Sequence, residues 1–581
     1  MRRGRAGVLV AAAVLVTAVP ARAATPPPTM PPAMYKSVSK EVLVTMDDGV
    51  KIGTTVAFPS ADGTNPLPGR FPVVLQMTPY GRNGVCGCTT PDTFATRGII
   101  GAVADVRGTG GSGGSLKDNY FSPREARDGY ELVEYFGTQP YSSGKVGMTG
   151  GSYVGITQYL TAEQRPPHLS VITPIVALSD VYRDAYAHGG VPNLFFDAQY
   201  IGVQGGPGTL SANNDPSLLA DTLVNKAGQS PPGMIAFDYL ARPDDDQFYR
   251  DRSPIYHAAD ITVPTLIVGQ WHDGLLRGAP EMYRVLSRRS GVETRLFMDP
   301  CTHKGCGAPF APFNDPPGRE DESALVFEFL RKYLLGADAP QRPRVQYYLQ
   351  HANRYETATD WPPPSTRLRT LRLGPGLLGG KRKPGSASYV DDPAAGLSMA
   401  FDDYGTVAAS PYLPTDQRLE GPHGLTFRTA VLRKPLDITG PIALHLVASS
   451  TATDTDWYAK LADVAPDGSE TIITEGALRA SHRALDRTKS LPGRPYHTDL
   501  DPQPIVPGRF YAYDVEIWPT AYELARGHRL QLRVTSSDLP THLPGWYRID
   551  QSHPEATAIE VEEPAVNTVR YGVSRLLVPV S

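Results

Sequence analysis

Short, predominantly apolar runs punctuated by glycine and proline dominate the first half of the chain. Residues 71–77, 98–106, 145–149, 171–177, 265–268 and 295–298 are too short for helices and are predominantly apolar rather than alternating. That is the pattern of strands buried on both faces. Between them the pattern turns helical: Ser122-Pro123-Arg124-Glu125 places an N-cap serine three residues before a glutamate, the spacing of a capping box, and residues 323–335 read as a helix. From Ser179 the pattern becomes helix-like stretches broken by loops, at 181–187, 194–202 and 216–226, ending near Arg252-Ser253-Pro254. Beyond Gln341 the runs are short, β-rich and separated by glycine and proline turns, clearest at 429–447, 457–464, 510–518 and 529–536. An α/β unit followed by an all-β unit is therefore expected, and 581 residues exceed what one core organises, implying about three domains.

The first 23 residues stand apart from this pattern. Arg2, Arg3 and Arg5 precede an apolar stretch at 6–19, and Ala21-Arg22-Ala23 has the small-x-small form of a cleavage site. The apolar stretch is shorter than the roughly 20 residues that span a bilayer. Residues 1–23 are expected to be a removable signal peptide, delivering a secreted or cell-envelope protein with no stable membrane span. Residues 24–41, with five prolines between Pro26 and Pro32, read as an extended spacer. With 56 basic and 60 acidic residues there is no positive excess to attract nucleic acid, and loss of the signal would take the net charge from −4 to −8.

Candidate chemistry sits where apolar runs end. Residues 145–149 lead into Gly150-Gly151-Ser152-Tyr153-Val154-Gly155, a serine between glycines at a strand-to-helix turn. Such a turn is crowded and strained, which glycines on both sides accommodate, and it is how a nucleophilic serine is presented at the edge of an α/β sheet. The usual spelling is G-x-S-x-G; here the second glycine comes one position later. A serine needs a base and an acid to orient that base, supplied in this architecture in the order Ser, Asp, His. Asp273 follows the run at 265–268 and His303 follows the run at 295–298, in that order.

These motifs, with Met77-Thr78-Pro79-Tyr80, Asp105-Val106-Arg107-Gly108, Gly269-Gln270-Trp271-His272-Asp273, the segment 454–464 and Gly527-His528-Arg529-Leu530, resemble one family. It is that of the bacterial cocaine esterases, Xaa-Pro dipeptidyl-peptidases and cephalosporin acylases, the CocE/NonD-type hydrolases. The resemblance spans residues 42–579. It implies an α/β-hydrolase catalytic domain at 42–178 and 255–340, a helical cap at 179–254 and a C-terminal jelly-roll β-sandwich at 341–581. It assigns Ser152 as nucleophile, His303 as base and Asp273 as its partner, with the Tyr153 N–H and the Tyr80 hydroxyl as oxyanion donors. Trp271, Tyr186, Phe195 and Phe196 are expected to contact substrate. No metal and no organic cofactor is required.

The four cysteines fall into local pairs, Cys86/Cys88 beyond Tyr80 and Cys301/Cys306 around His303. Three pairings are open. With the family fold, at least one disulfide is expected to tie the Tyr80 loop to the His303 loop. The two-pair spacing faintly suggests zinc, but Cys86-x-Cys88 lacks the usual two-residue spacing. Asp454 and Asp456 suit a solvated turn better than calcium, and His528 a structural role. The G-x-G-x-x-G at residues 108–113 follows an apolar run but is not followed by a helix, so a dinucleotide site is not expected.

The expected activity is hydrolysis of a small-molecule ester, amide or short peptide through an acyl-enzyme, esterase- or acylase-like. A dipeptidyl-peptidase acting on Xaa-Pro peptides is the first alternative, and a non-catalytic cell-wall or carbohydrate binder the second. Asp273 is followed by Gly274, Leu275 and Leu276, where the family's amino-acid ester hydrolases carry acids, which argues against free α-amino acyl groups at that point. The oligomeric state is left open.

Overall fold

The computed structural model describes residues 26–82, 89–115, 120–193, 242–303, 305, 317–392, 418, 423–538, 547–549, 559–561 and 564–581. β1 (Lys36–Thr45) and β2 (Lys51–Ser60) form an antiparallel hairpin at one edge of a ten-stranded sheet. Next come β3 (Phe71–Thr78), β4 (Ile100–Asp105), β5 (Ser142–Gly151) and β6 (Leu169–Ile175). A hairpin of two-residue strands, β7 (Ala187–His188) and β8 (Val191–Pro192), stands outside the sheet. The sheet is completed by β9 (Thr265–His272), β10 (Thr294–Thr302), β11 (Val345–Leu349) and β12 (Arg354–Ala358), in the order β1-β2-β4-β3-β5-β6-β9-β10-β11-β12. From β4 to β11 every neighbouring pair is parallel.

The expected continuous apolar runs are this parallel core. Every residue of β4 and β9 is buried, because helices cover both faces of the sheet. The seven helices are α1 (Pro91–Ala95), α2 (Pro123–Thr138), α3 (Tyr153–Glu163), α4 (Gln247–Arg250), α5 (Pro254–His257), α6 (Gly278–Leu286) and α7 (Glu322–Leu335), among the described residues. Alternate side chains of one strand feed opposite cores. Val73, Leu75 and Met77 of β3 pack with Leu132 of α2, Ile156 of α3 and Met282 of α6. Val74 packs on the other face with Phe94 of α1 and Leu330 of α7.

Half of the expected capping box forms. Ser122 Oγ accepts the Glu125 N–H at 3.2 Å, but the Glu125 carboxyl accepts the N–H of Phe121 at 2.9 Å, one residue before the cap.

Two boundaries differ from those read in the sequence. The sheet begins at Lys36, inside the expected spacer, and it continues past residue 340 through β11 and β12. β11 is wholly buried yet reads Val-Gln-Tyr-Tyr-Leu, so its sequence looks like a sandwich strand rather than a parallel core strand. Of the helix-like stretches after Ser179, the first is a π-helical turn at Tyr182–Tyr186, and those at 194–202 and 216–226 lie outside the described residues.

The C-terminal unit is all β. One layer carries Arg367–Gly374, Gly385–Val390, Leu436–Ser450, Tyr511–Leu524, Val566–Tyr571 and Arg575–Val580. The other carries Leu377–Leu378, Leu425–Arg428, Asp456–Val464, Glu470–Arg479 and Arg529–Thr535. Between them Leu444, Val515 and Ile517 pack with Trp457, Leu461 and Leu532 in one core.

Candidate active site

Four side chains converge from the C-terminal ends of β3, β5, β9 and β10, the rim where an open parallel sheet gathers its ligands. Ser152 is the first residue past β5, Asp273 the first past β9, His303 the first past β10, and Tyr80 the second past β3. Ser152 Oγ lies 2.8 Å from His303 Nε2, and His303 Nδ1 lies 3.0 Å and 3.1 Å from the two Asp273 carboxylate oxygens. The Tyr80 hydroxyl is 3.3 Å from Ser152 Oγ. Asp273 is 1% exposed, so its second role, accepting the Leu275 N–H, also takes place away from water.

The local sequence explains how the serine is presented. Ser152 has φ 61° and ψ −129°, a backbone conformation costly for a residue with a side chain. Its N–H is anchored to the Ile175 carbonyl of β6 at 3.0 Å. A Cβ on Gly150 would lie 2.3 Å from Val154 Cγ1, and one on Gly155 would lie 2.6 Å from the Ile175 carbonyl oxygen. The displaced second glycine of the motif thus marks where α3 passes closest to β6. Position 154, where the usual spelling has glycine, carries a buried valine.

Tyr153 begins α3. Its ring is fully buried among Phe121, Tyr120 and Tyr80, at centroid distances of 4.5, 5.1 and 6.3 Å, and its hydroxyl donates to Glu125 Oε2 at 2.7 Å. Burial pushes the Glu125 carboxyl up to about 8.

A brace behind Tyr80 has no counterpart among the sequence expectations. Asp105, at the end of β4, accepts the Arg82 N–H at 2.6 Å and the Gly111 N–H at 2.8 Å and is ion-paired with the Arg82 guanidinium, which also bonds Glu41 at 2.9 Å. The turn after Tyr80 is therefore tied to the next strand. The glycine-rich loop at 108–113 closes the same arrangement: Gly108 N–H bonds the Gly113 carbonyl, and Ser112 Oγ donates to the Asp105 carbonyl at 2.8 Å. A Cβ on Gly110 would overlap the Asp105 carboxylate, so these glycines serve close packing. The Asp-Val-Arg-Gly motif was the available signal, because a buried Asp and Arg in sequence require partners. Arg107 finds Asp48 and Asp128, at 2.7 and 2.6 Å.

Two of the four expected substrate contacts, Trp271 and Tyr186, lie among the described residues. Trp271 is 1% exposed, donates its indole N–H to the Tyr348 carbonyl at 2.8 Å and packs on Trp361. Tyr186 is enclosed by Tyr182 and Tyr249. Both are buried against other aromatic rings, Trp271 because β9 alternates its side chains between two covered faces. Phe195 and Phe196 lie outside the described residues. Leu275 and Leu276 are buried as well, and the next residue, Arg277, reaches Asp184 at 2.8 Å and Glu516 of the β unit at 3.2 Å. Burial opposes the Arg277 charge, but Glu516 and Asp184 hold its pKa well above the ordinary value. Of the cysteines, Cys301 is described and buried; Cys86, Cys88 and Cys306 lie outside the described residues. No group of three metal-ligating side chains occurs among the described residues.

Proteins similar to this chain in sequence include esterases and peptidases. The sequence model of the X-Pro dipeptidyl-peptidase S15 family matches residues 48–305, and that of the X-Pro dipeptidyl-peptidase C-terminal non-catalytic domain matches residues 338–564. The cocaine esterase of Rhodococcus sp. strain MB1 Bresler is 26% identical over 566 residues, 87% of this chain and 92% of that protein. An aminopeptidase from a marine sediment Thaumarchaeota archaeon shares the fold at TM-score 0.76 and 22% identity, over 97% of this chain and 100% of that one. A CocE/NonD family hydrolase from Staphylococcus aureus does so at TM-score 0.70 and 20% identity, over 93% of each chain. With the two family models matching its two units in order, the chain belongs to the S15 family of serine hydrolases.

Proposed function

We propose that this chain is a secreted esterase- or acylase-like hydrolase that cleaves a small ester or amide through an acyl-enzyme on Ser152. The observation that carries the reading is the unbroken relay from Ser152 Oγ to His303 Nε2 at 2.8 Å and from His303 Nδ1 to Asp273 at 3.0 Å. In the resting state Ser152 O–H donates to His303 Nε2, and His303 Nδ1–H donates to buried Asp273, which holds the ring in that tautomer. Ser152 Oγ attacks the acyl carbonyl while its proton passes to His303. The negative charge gathers on the former carbonyl oxygen, facing the Tyr80 hydroxyl and the Tyr153 N–H at the start of α3. His303 then gives its proton to the leaving alcohol or amine as the acyl–heteroatom bond breaks. Water, deprotonated by His303, releases the acid and restores Ser152.

The preference for an uncharged acyl group is supported by the surroundings of Asp273. The residues that follow it are buried leucines and a buried arginine already holding Asp184 and Glu516. Leu275 and Leu276 offer a substrate ammonium no acid at those positions. The second reading is a dipeptidyl-peptidase acting on Xaa-Pro peptides, favoured by the family models that match both units. Export rests on residues 1–23, which lie outside the described residues. A disulfide from Cys301, two residues before His303, would steady the histidine's turn, and non-reducing peptide mapping of the protein identifies its partner.

Native protein and Ser152→Ala are compared on a short-chain p-nitrophenyl ester, a β-lactam side-chain amide and a Gly-Pro chromogenic amide. Release from the ester that disappears with Ser152 is the expected result. Serine-dependent release from the Gly-Pro amide transfers the assignment to the peptidase, and an equally active Ser152→Ala ends the reading.

A further inference from the structure

Behind the serine turn a carboxyl group is sealed into the protein. Glu125 is 2% exposed and sits in the first turn of α2. Its Oε2 accepts the Tyr153 hydroxyl at 2.7 Å and the Phe121 N–H at 2.9 Å, and its Oε1 is buried with no partner among the described residues. Tyr153 belongs at once to this contact and to the serine turn, because its backbone N–H is the one that follows Ser152. The two helices are packed hard together: a Cβ on Gly129 of α2 would lie 2.0 Å from Thr161 Oγ1 of α3. One carboxyl therefore joins the loop at Phe121, the start of α2 and the start of α3, while the ring between them is held on three sides by aromatics.

We infer that Glu125 is a positioning residue for acyl transfer, fixing Tyr153 and, through it, the oxyanion-facing N–H at the head of α3. The inference rests on the assignment of Ser152 and Tyr153 made above.

The groups facing Glu125 explain why it is neutral. They are the Tyr153 hydroxyl and the Phe121 N–H, Asp128 one turn along α2, and Arg252 beyond α4. Asp128 is occupied by Arg107 and Arg124 at 2.6 and 2.7 Å. Arg252 donates to the carbonyls of Tyr120 and Phe248 at 3.2 and 3.1 Å. Glu125 has no ion pair among the described residues. Burial raises its carboxyl, the two hydrogen bonds lower it, and the balance stands at about 8. At neutral pH the group is protonated. Above that value it becomes a buried anion behind the site where the oxyanion forms, and a second negative charge there opposes the transition state.

The test is the pH profile of kcat/KM for the ester, from about pH 6 to about pH 10, for native protein, Glu125→Gln and Tyr153→Phe. If the ionised form is inactive, native activity falls about tenfold between about pH 7 and about pH 9. Glu125→Gln keeps a neutral acceptor for both donors, so its ratio of activity at the two pH values rises close to one. Tyr153→Phe removes a hydrogen bond that favours the anion, so its decline moves to higher pH. If Glu125→Gln does not fold, the direction of the Tyr153→Phe shift decides. A native decline that persists unchanged in the variants overturns the inference while leaving the triad intact. Absence of any Ser152-dependent turnover removes the triad assignment and this inference with it.

Discussion

Among the described residues, one histidine–aspartate pair in the catalytic unit and one in the β unit have nearly the same geometry. His303 Nδ1 is 3.0 Å from Asp273, and His528 Nδ1 is 2.8 Å from Asp463. Their backbones differ. Asp273 and His303 each stand one residue past a parallel strand, and the free ring nitrogen of His303 meets a hydroxyl held at φ 61°. Asp463 lies inside a strand paired with the one His528 precedes, and its second oxygen accepts the Tyr522 hydroxyl at 3.1 Å. The first pair leads on to the Ser152 hydroxyl, whereas the second closes on Tyr522 within the sandwich. The same closure recurs in the sandwich at Glu470, which accepts Gln531 and Arg533 at 2.7 and 3.0 Å. Position relative to strand ends, more than residue type, separates reactive polar groups from structural ones.

The contrast is sharpened by substitutions on both sides of it. Ser152→Ala should lower kcat/KM by about 10⁴-fold or more, leaving only what binding and the oxyanion donors supply. Tyr80→Phe should cost about 10²–10³, the usual size for one oxyanion donor, and appear in kcat more than in KM. Gly155→Ala forces a methyl group toward the Ile175 carbonyl; a melting curve should show a loss of about 1–3 kcal/mol, with activity reduced because the turn bearing Ser152 must shift. His528→Ala should leave kcat/KM within about twofold, as expected for a site remote from the chemistry. Its cost should appear in the melting temperature, at about 1–3 kcal/mol for leaving Asp463 without one partner. A large loss of activity in His528→Ala at full folding would dissolve the distinction between the two pairs.

Much of the catalytic unit is legible in the sequence because a parallel sheet covered on both faces writes its strands as uninterrupted apolar runs, as at β3, β4 and β9. The ends of those runs point to Ser152, Asp273 and His303 from the order of residues alone. Other features carry no such local mark. β11 hides its membership of the sheet behind Gln346 and two tyrosines, one of which, Tyr348, finds its partner in the distant Pro317 carbonyl. The brace of Asp105 on Arg82 joins residues 23 apart in sequence, so neither predicts the other. Trp271 stands two residues from Asp273 and so suggests a pocket residue, yet the alternation of β9 turns it inward onto Trp361. The glutamate of the capping-box spacing is visible in the sequence, but its use by Tyr153 depends on how closely α2 and α3 pack.

The most direct test of the account is covalent trapping with a fluorophosphonate, which reacts with a serine only when a base has activated it. Intact-mass and peptide analysis should show one adduct per chain, on Ser152, absent from Ser152→Ala and strongly slowed in His303→Ala, with His528→Ala labelled like the native protein. Labelling that spares Ser152, or that proceeds equally in His303→Ala, would contradict the relay from Ser152 through His303 to Asp273.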